Sequence, residues 1–436
     1  MTPSDPVDLP RRPGQDPTPL LDADRAAVLQ NYARPPIVFI RGEGAWLYDD
    51  AGRRYLDFNA GIAVSALGHG DAELAHAIAD QAGRLIHTSN LYHTPPYIRL
   101  AEQLVARSFA DRVYFGNSGA EVVEAALKFA RLYARKTHGE MPAPDGWSEL
   151  VDDAATSSWP RKWRTVAFDH AFHGRTMGAL SLTHKAAYRA PFAPLLPGVV
   201  FAPFNDVAAA EAAIDETTMA VVVEPIQGEG GYVPATLPFL HALRTRCDAV
   251  GALLVLDEIQ CGLGRTGHLF AHEMYGVRPD IVCLAKPLAG GLPIGAVLMT
   301  QAVADCVGVG EHGSTFAGGP LVCRAAEVVL NRVSDPAFLA AVQARSDHLV
   351  RGLLALDSPH IVDIRGAGLM IGVELDLAVK PIVDAARDDG VLLIGAGERV
   401  LRLCPPLIVD EAQIDLAVGA IGRAIAHTAE RSAAPG

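Results

Sequence analysis

No stretch of this chain stays apolar for the roughly 20 residues that a membrane-spanning helix needs. No GxxxxGK[ST] loop occurs, which removes the P-loop nucleotidases. HExxH, CxxC spacing and clustered Cys/His are also missing, so nothing in the sequence suggests a metal site. The six cysteines (Cys247, Cys261, Cys283, Cys306, Cys323, Cys404) are too few for a disulfide framework and read as small buried hydrophobes of a reduced compartment. Basic charge is in short supply. With 37 Lys+Arg against 50 Asp+Glu the net charge is −13, which weighs against a nucleic-acid or anionic-membrane partner. Prolines and charges leave the N-terminus without the apolar centre of a signal peptide. The expectation is a soluble, cytoplasmic globular protein.

What is present is a large apolar content, 50% of 436 residues, enough for a sizeable core and two or three domains. Residues 1–20 carry Pro3, Pro6, Pro10, Pro13, Pro17 and Pro19 and read as a disordered tail. A helix is expected from Asp22 to Tyr32, short paired strands between Ile37 and Asn59, and helices over Asp71–Ile86 and Tyr97–Arg107. Seven apolar runs then alternate with helical patterns: Val113–Phe115, Val166–Phe168, Val199–Phe201, Ala220–Val223, Leu253–Leu256, Ile281–Ala285 and Ile294–Met299. Continuous runs of this kind are strands buried on both faces, so the fold class is α/β with a mainly parallel seven-stranded sheet. Ligands of such sheets sit beyond the carboxyl ends of the strands. Residues 136–163, with Pro142, Pro144, Gly146 and Pro160, read as a surface excursion. The expected division is 21–84 as the first part of a small domain, 85–330 as a large cofactor-binding domain, and 331–436 as the rest of the small domain, closed by a helix over Glu411–Ala426.

Ala252 to Gly291 is the stretch that carries chemistry. The run Leu253–Leu256 delivers Asp257 and Glu258, and the run Ile281–Ala285 delivers Lys286. A buried lysine loses proton affinity and becomes a nucleophile toward a carbonyl. A buried carboxylate can keep a ring nitrogen protonated so that the ring accepts carbanion charge. An apolar run before Asp-Glu also spells a Walker B strand, and Lys286 alone reads as an ordinary strand-end lysine. Gly262-x-Gly264-x-x-Gly267 matches the dinucleotide string, but residues 257–261 separate it from its strand, so it reads as a turn.

Other loops add partners. Gly116-Asn117-Ser118-Gly119-Ala120 leaves a strand and opens a strongly helical stretch, where free amides and a hydroxyl suit a phosphate, or where Ser118 simply caps the helix. The same letters miss the esterase elbow at Ala120. Phe172-His173-Gly174-Arg175 offers an aromatic face and a two-donor fork, or a plain helix-start loop. Glu224 and Glu229 lie in a glycine-rich loop after a buried strand. Arg402, between apolar neighbours, wants a carboxylate, and Glu229 is a candidate. His312-Gly313-Ser314-Thr315 could bind phosphate or be a turn.

Together, FGNSGAE, FHGRT, VVVEPIQGEGG, LVLDEIQCGLGRTG, AKPLAGGLPIGA, HGSTFAGGPL, RGAGLMIGVEL and LRLCPPL resemble, in order, the class III (ω-amino) aminotransferases, from about Ile37 to Leu407. The resemblance implies the type I fold of pyridoxal-phosphate enzymes and pyridoxal 5'-phosphate as cofactor. It implies that Lys286 anchors the cofactor and moves the proton, that Asp257 pairs with the ring nitrogen, and that Gln260 lies near the phenolic oxygen. Phe172 and Ile259 would cover the ring faces. Ser118, Gly119 and Ala120 would hold the phosphate, with Thr315 supplied by the second subunit of a homodimer.

Arg175 would bind the donor's α-carboxylate. Arg402 would bind that of 2-oxoglutarate, with Glu229 covering it when the longer substrate is present. The tract with Asn90 and Tyr92 would contact the substrate's distal end, and Ser314 is expected among the substrate-binding residues. The implied reaction moves the ω-amino group of an acylated diamino acid such as N-acetylornithine to 2-oxoglutarate. Ornithine or 4-aminobutyrate transamination, a racemase or a decarboxylase are the rivals on the same scaffold. The chain departs from the family at Ala120, usually threonine, at Ala317-Gly318-Gly319, and at the PLAGG that follows Lys286.

Overall fold

All seven apolar runs become strands of one sheet in the computed structural model, which describes residues 18–142 and 158–433. In chain order they are β1 (Arg112–Gly116), β2 (Arg164–Phe168), β3 (Val199–Ala202), β4 (Thr218–Val223), β5 (Leu253–Asp257), β6 (Ile281–Leu284) and β7 (Gly295–Met299). Their order across the sheet is β1-β7-β6-β5-β4-β2-β3. Only β7 runs against its neighbours, pairing antiparallel with β6 and β1, while the other pairs are parallel. The fold is thus α/β with a mainly parallel sheet. Burial explains the unbroken apolar runs: every residue of β4, β5, β6 and β7 is buried, because helices cover both faces.

The helix Gly119–His138 lies across one face. Its Val122, Ala126, Phe129 and Ala130 pack with Val222, Val255, Cys283 and Val297 from the sheet. Ser118 caps this helix, its side chain accepting from the Glu121 amide. On the opposite face Phe239, Leu240 and Leu243 of the helix Leu237–Val250 join Val221, Leu254 and Leu256. Alternation along each buried strand therefore sends neighbouring residues into two separate cores. At the strand ends the same alternation separates functional from supporting side chains.

The ends of the chain meet in a second sheet. Phe39–Glu43, Trp46–Asp49 and Arg54–Asp57 form an antiparallel meander, and Val391–Leu392 adds to it in parallel beside Arg54–Asp57. A four-stranded sheet, Ile361–Ala367, Met370–Leu375, Val400–Leu403 and Ile394–Ala396, lies beside these elements in sequence. Pairing between residues more than 300 apart is what a two-part small domain, 21–84 with 331–436, would need.

Several boundaries differ from the sequence expectation. The first helix covers Thr18–Ala27 rather than Asp22–Tyr32. The Gln30 side-chain amide donates to the carbonyls of Asp24 and Val28 and closes the helix before Tyr32. The three meander strands all fall inside the expected span Ile37–Asn59. The last helix continues to Ala433 instead of stopping at Ala426. Residues 1–17 of the expected tail lie outside the described residues, as do 143–157 of the excursion. The excursion's flanks, Glu140–Pro142 and Ser158–Pro160, pair as a two-stranded antiparallel ribbon.

All six cysteines are free and buried. Among the described residues no helix is long and apolar enough to cross a membrane.

Candidate active site

A cavity of about 610 Å³ opens beyond the carboxyl ends of β2, β4, β5 and β6. It gathers Ser118, Gly119, Ala120, Phe172, Arg175, Glu229, Asp257, Ile259, Gln260 and Lys286, ten of the residues singled out in the sequence. Asn117, His173, Glu224 and Tyr32 line it as well.

Asp257 closes β5 and turns into the cavity, and the next residue does the opposite. Glu258 accepts from the amides of Ala271 and His272 and from His272 Nδ1, at 2.5, 2.8 and 2.7 Å, and so fastens the loop behind the site. The acidic pair therefore splits into one carboxylate for chemistry and one for structure.

Asp257 Oδ2 lies 2.7 Å from His173 Nδ1, and its Oδ1 accepts from the Ile259 amide at 3.1 Å. Both side chains of the pair are buried. Burial alone would lower the His173 pKa, but the hydrogen bond and charge of Asp257, with Glu224 nearby, carry it above the ordinary value. Glu224 accepts from the Phe172 and Gly228 amides at 2.9 and 2.8 Å. Its carboxyl is pushed up to about 7, first by burial and then by Asp257, against the opposing pull of His173 and the two amides.

Lys286 follows β6. It keeps part of its surface open to the cavity, while the protein around it desolvates the ammonium and pulls its pKa down; Asp257 and Glu224 partly restore it. The site thus holds an amine poised toward its neutral, nucleophilic form beside a carboxylate held by a histidine.

Gln260 turns toward the cavity, its amide 3.3 Å from the Tyr232 hydroxyl. Gly228 makes this possible, since a Cβ there would lie 1.9 Å from Gln260 Oε1. The loop carrying Phe172 and Arg175 is fixed from the helix Gly119–His138: Glu124 Oε1 accepts from the Gly178 and Ala179 amides at 2.7 and 3.2 Å. A Cβ on Gly178 would meet that carboxylate at 2.3 Å.

The two arginines are in different states. Arg402 is buried; its Nη1 donates to Glu229 Oε1 at 2.8 Å and to the Gly228 carbonyl at 3.1 Å, and its Nη2 to the Gly395 carbonyl. Arg175 is exposed at the cavity wall with its guanidinium over the Tyr188 ring, 3.5 Å from the centroid. Fully buried Arg265 ties the loop after Asp257 to the segment bearing Arg402, donating to the carbonyls of Leu369 and Pro405 at 3.0 and 2.5 Å.

Five expected site residues do not line this cavity: Arg402, which sits behind Glu229, and Asn90, Tyr92, Ser314 and Thr315. Ser314 Oγ accepts from Asn117 Nδ2 at 2.8 Å, and Asn90 Nδ2 donates to the Ser314 and Ala317 carbonyls at 3.1 and 2.9 Å. Asn90 thereby holds the 314–317 loop in place. Thr315 is exposed on that loop, and Tyr92 is 72% exposed.

His173, Glu224, Asn117 and Tyr32 had no role assigned from the sequence. The first three stand inside the quoted motifs, which was the available signal; nothing in the order of residues around Tyr32 marked it. Among the described residues no group of three or more His, Cys, Asp or Glu is arranged to hold a metal.

The residues present fit a phosphorylated carbonyl cofactor with a basic ring. At the start of the helix Gly119–His138, the Gly119 and Ala120 amides, which have no acceptor one turn back, meet the cavity wall. Ser118 contributes its hydroxyl there even while it caps the helix. Asp257 and Lys286 share the same cavity.

Comparison with known proteins agrees with this chemistry. A model of the family Aminotransferase class-III matches residues 28–425. The chain is 48% identical over 402 residues to a mitochondrial acetylornithine aminotransferase of Alnus glutinosa, covering 91% of this chain and 85% of that protein. It is 43% identical over 393 residues to a succinylornithine transaminase of Yersinia enterocolitica, covering 89% and 92%. Among solved structures, an ornithine aminotransferase of Toxoplasma gondii, described with partial occupancy of PLP at its active site, superposes with a TM-score of 0.86 at 31% identity, covering 95% of each chain.

Proposed function

The chain belongs to the class III aminotransferases, and from that premise we propose that it transfers the ω-amino group of N-acetylornithine to 2-oxoglutarate with pyridoxal 5'-phosphate as cofactor. The products are the corresponding semialdehyde and glutamate, a step suited to arginine or lysine biosynthesis. The observation that carries the reading is the pair of arginines: Arg175 open at the cavity wall and Arg402 covered by Glu229. A donor with one carboxylate needs one arginine, and 2-oxoglutarate, with two carboxylates, calls for the second.

When bound, the cofactor supplies a carbonyl for the amine and a ring that accepts carbanion charge. The chain's own residues do the rest. The Lys286 amine, partly neutral through desolvation, holds the cofactor and then moves a proton to and from the substrate's reacting carbon. Asp257, oriented by His173 and the Ile259 amide, keeps the ring nitrogen protonated. Phe172 and Ile259 would bracket the ring, Gln260 would face its phenolic oxygen, and Ser118, Gly119 and Ala120 would receive the phosphate; all six line the cavity. Glu229 occupies Arg402 while the single-carboxylate donor reacts, so the donor binds with its distal amine toward Lys286. Thr315, exposed on its loop, is suited to serve the site of a second copy in a homodimer. The buried free thiols suit a cytoplasmic setting.

N-succinylornithine is the second reading, favoured by the similarity to a succinylornithine transaminase. The test is a donor panel of N-acetylornithine, N-succinylornithine, ornithine and 4-aminobutyrate with 2-oxoglutarate, scored by glutamate formed. The acylated ornithines should lead. No glutamate from any donor would sink the transaminase assignment to these substrates.

A further inference from the structure

We propose that Tyr188 is a positioning residue for substrate recognition: its ring carries the Arg175 guanidinium and presents that guanidinium's N–H edge to the donor carboxylate. The inference rests on the reading that Arg175 receives the donor's α-carboxylate.

The geometry is specific. The Arg175 guanidinium carbon stands 3.5 Å from the Tyr188 ring centroid and 5.6 Å from that of Phe172. Among the described residues Arg175 has no carboxylate or carbonyl partner, although it lines the cavity. An exposed arginine normally samples many rotamers and loses that freedom when it binds. A stack on an aromatic face holds the guanidinium plane while its donors, which lie in that plane, remain free for a two-point carboxylate contact. An acid partner would fix the arginine equally well but would compete with the substrate, as Glu229 does at Arg402.

Tyr188 is itself held. It sits on the short helix Ala186–Arg189, and the adjacent Arg189 donates to the His184 carbonyl at 3.1 Å and stacks over Phe201 of β3 at 4.7 Å. The sheet edge thus supports the helix, the helix supports the ring, and the ring supports the arginine. Lys185 Nζ lies 4.7 Å from the same ring and adds a second cation to it.

The experiment compares Tyr188→Leu, Tyr188→Ala, Tyr188→Phe, Tyr188→Trp and Arg175→Ala in the cofactor-loaded enzyme. Two quantities are read: kcat and KM for N-acetylornithine at saturating 2-oxoglutarate, and the competitive inhibition constant of N-acetylnorvaline, which keeps the acylated α-amine and the α-carboxylate and lacks the distal amine. Loss of the aromatic face in the Leu and Ala variants should raise KM and the inhibition constant together by roughly 3- to 30-fold, with kcat little changed. The Phe and Trp variants keep a face and should stay within about two-fold of wild type.

The inference is overturned if the Leu and Ala variants leave both constants unchanged, if they lower kcat alone, or if Phe is as impaired as Leu. Arg175→Ala separates the two levels. If it raises the inhibition constant while Tyr188→Leu does not, Tyr188 has no such role and the carboxylate reading stands. If it leaves the constant unchanged, the carboxylate reading fails first and this inference falls with it.

Discussion

His173 Nδ1 and Asp257 Oδ2, 84 residues apart in the chain, meet at 2.7 Å with both side chains buried. The other ring nitrogen, Nε2, is buried without a hydrogen-bond partner among the described residues. A cost of that kind on one side of the ring is offset by what the other side does for the carboxylate. His173→Ala would leave Asp257 buried and unpaired, and breaking such a pair from one side costs about 3–5 kcal/mol. Urea unfolding should register that loss, and cofactor titration should show weaker binding. His173→Asn can still present an N–H and should lose less. Equal stability of His173→Ala and wild type would remove the pair from the account of the site.

Glu224 gives the fold a pH dependence of known sign. Burial, the largest cause, with Asp257 behind it, raises the carboxyl from 4.5 to about 7, against His173 and two amides. A raised carboxyl binds its proton more tightly in the folded chain. Its contribution is therefore complete below the unfolded value and is lost as pH rises through about 7. Every tenfold gain in proton affinity on folding corresponds to about 1.4 kcal/mol. His173, also raised, contributes in the same direction. In the cofactor-free protein, unfolding free energy should fall between about pH 5 and about pH 7.5, and Glu224→Gln should flatten much of that slope. A variant with the wild-type slope would contradict the assignment.

The sheet was legible because burial on both faces writes itself into sequence as uninterrupted apolar runs, such as Thr218–Val223 and Leu253–Asp257. Lys286 and Asp257 were legible only in company: alone the first reads as a strand-end lysine and the second as a Walker B carboxylate, and the ordered motifs around them supplied the roles. His173 and Glu224 were visible as letters, but their roles depend on a contact across 84 residues and on amides from the Phe172 loop and from Glu224's own loop, and neither leaves a local pattern. Tyr188 lies on a helix of four residues, too short for periodicity to mark. Helix ends slipped where side chains decided them, as Gln30 did beyond Ala27.

Lys286 should be the covalent anchor. Its desolvated amine lies in the same cavity as Asp257 and the Gly119–His138 helix start. Borohydride reduction of the cofactor-loaded protein, then digestion and mass spectrometry, should place the added cofactor mass on the Lys286 peptide. Lys286→Ala should carry none and should lose at least about three orders of magnitude in turnover, the scale of removing both a nucleophile and a proton carrier. Equal trapping in the variant would point to another lysine.

Glu229 should compete with substrate for Arg402, to which it is paired. The carboxylate is 38% exposed while the arginine is 2% exposed, so opening the pair moves the acid and leaves the arginine in place. Glu229→Gln should therefore tighten 2-oxoglutarate and glutamate binding by about 3- to 10-fold, within the range of one charge-assisted contact. It should also let glutamate compete more strongly with the acylated donor. Steady-state constants for each substrate check this, and unchanged glutamate inhibition would show that the pair is structural only.

Thr315 should act across a subunit boundary. In a single chain it is exposed, away from the cavity, on a loop held by Asn90 and, through Ser314, by Asn117. Two bonds from Asn90 to that loop are more anchoring than an idle surface turn requires. If Thr315 reaches the phosphate of a second copy, Thr315→Glu places a carboxylate against it and should weaken cofactor binding by at least about ten-fold, since like charges at close range cost more than 1 kcal/mol even in a partly wet site. Lys286→Ala should be inactive for its own reason. In a mixed dimer of the two variants, one site would carry Lys286 from one chain and Thr315 from the other, both unaltered. Mixing the two proteins, at a cofactor concentration too low to load Thr315→Glu and under conditions where native mass spectrometry shows subunit exchange, should therefore raise activity above that of either alone, up to one working site per mixed dimer. If Thr315 served its own chain's site, every site in the mixture would carry one defect, and exchange would restore nothing.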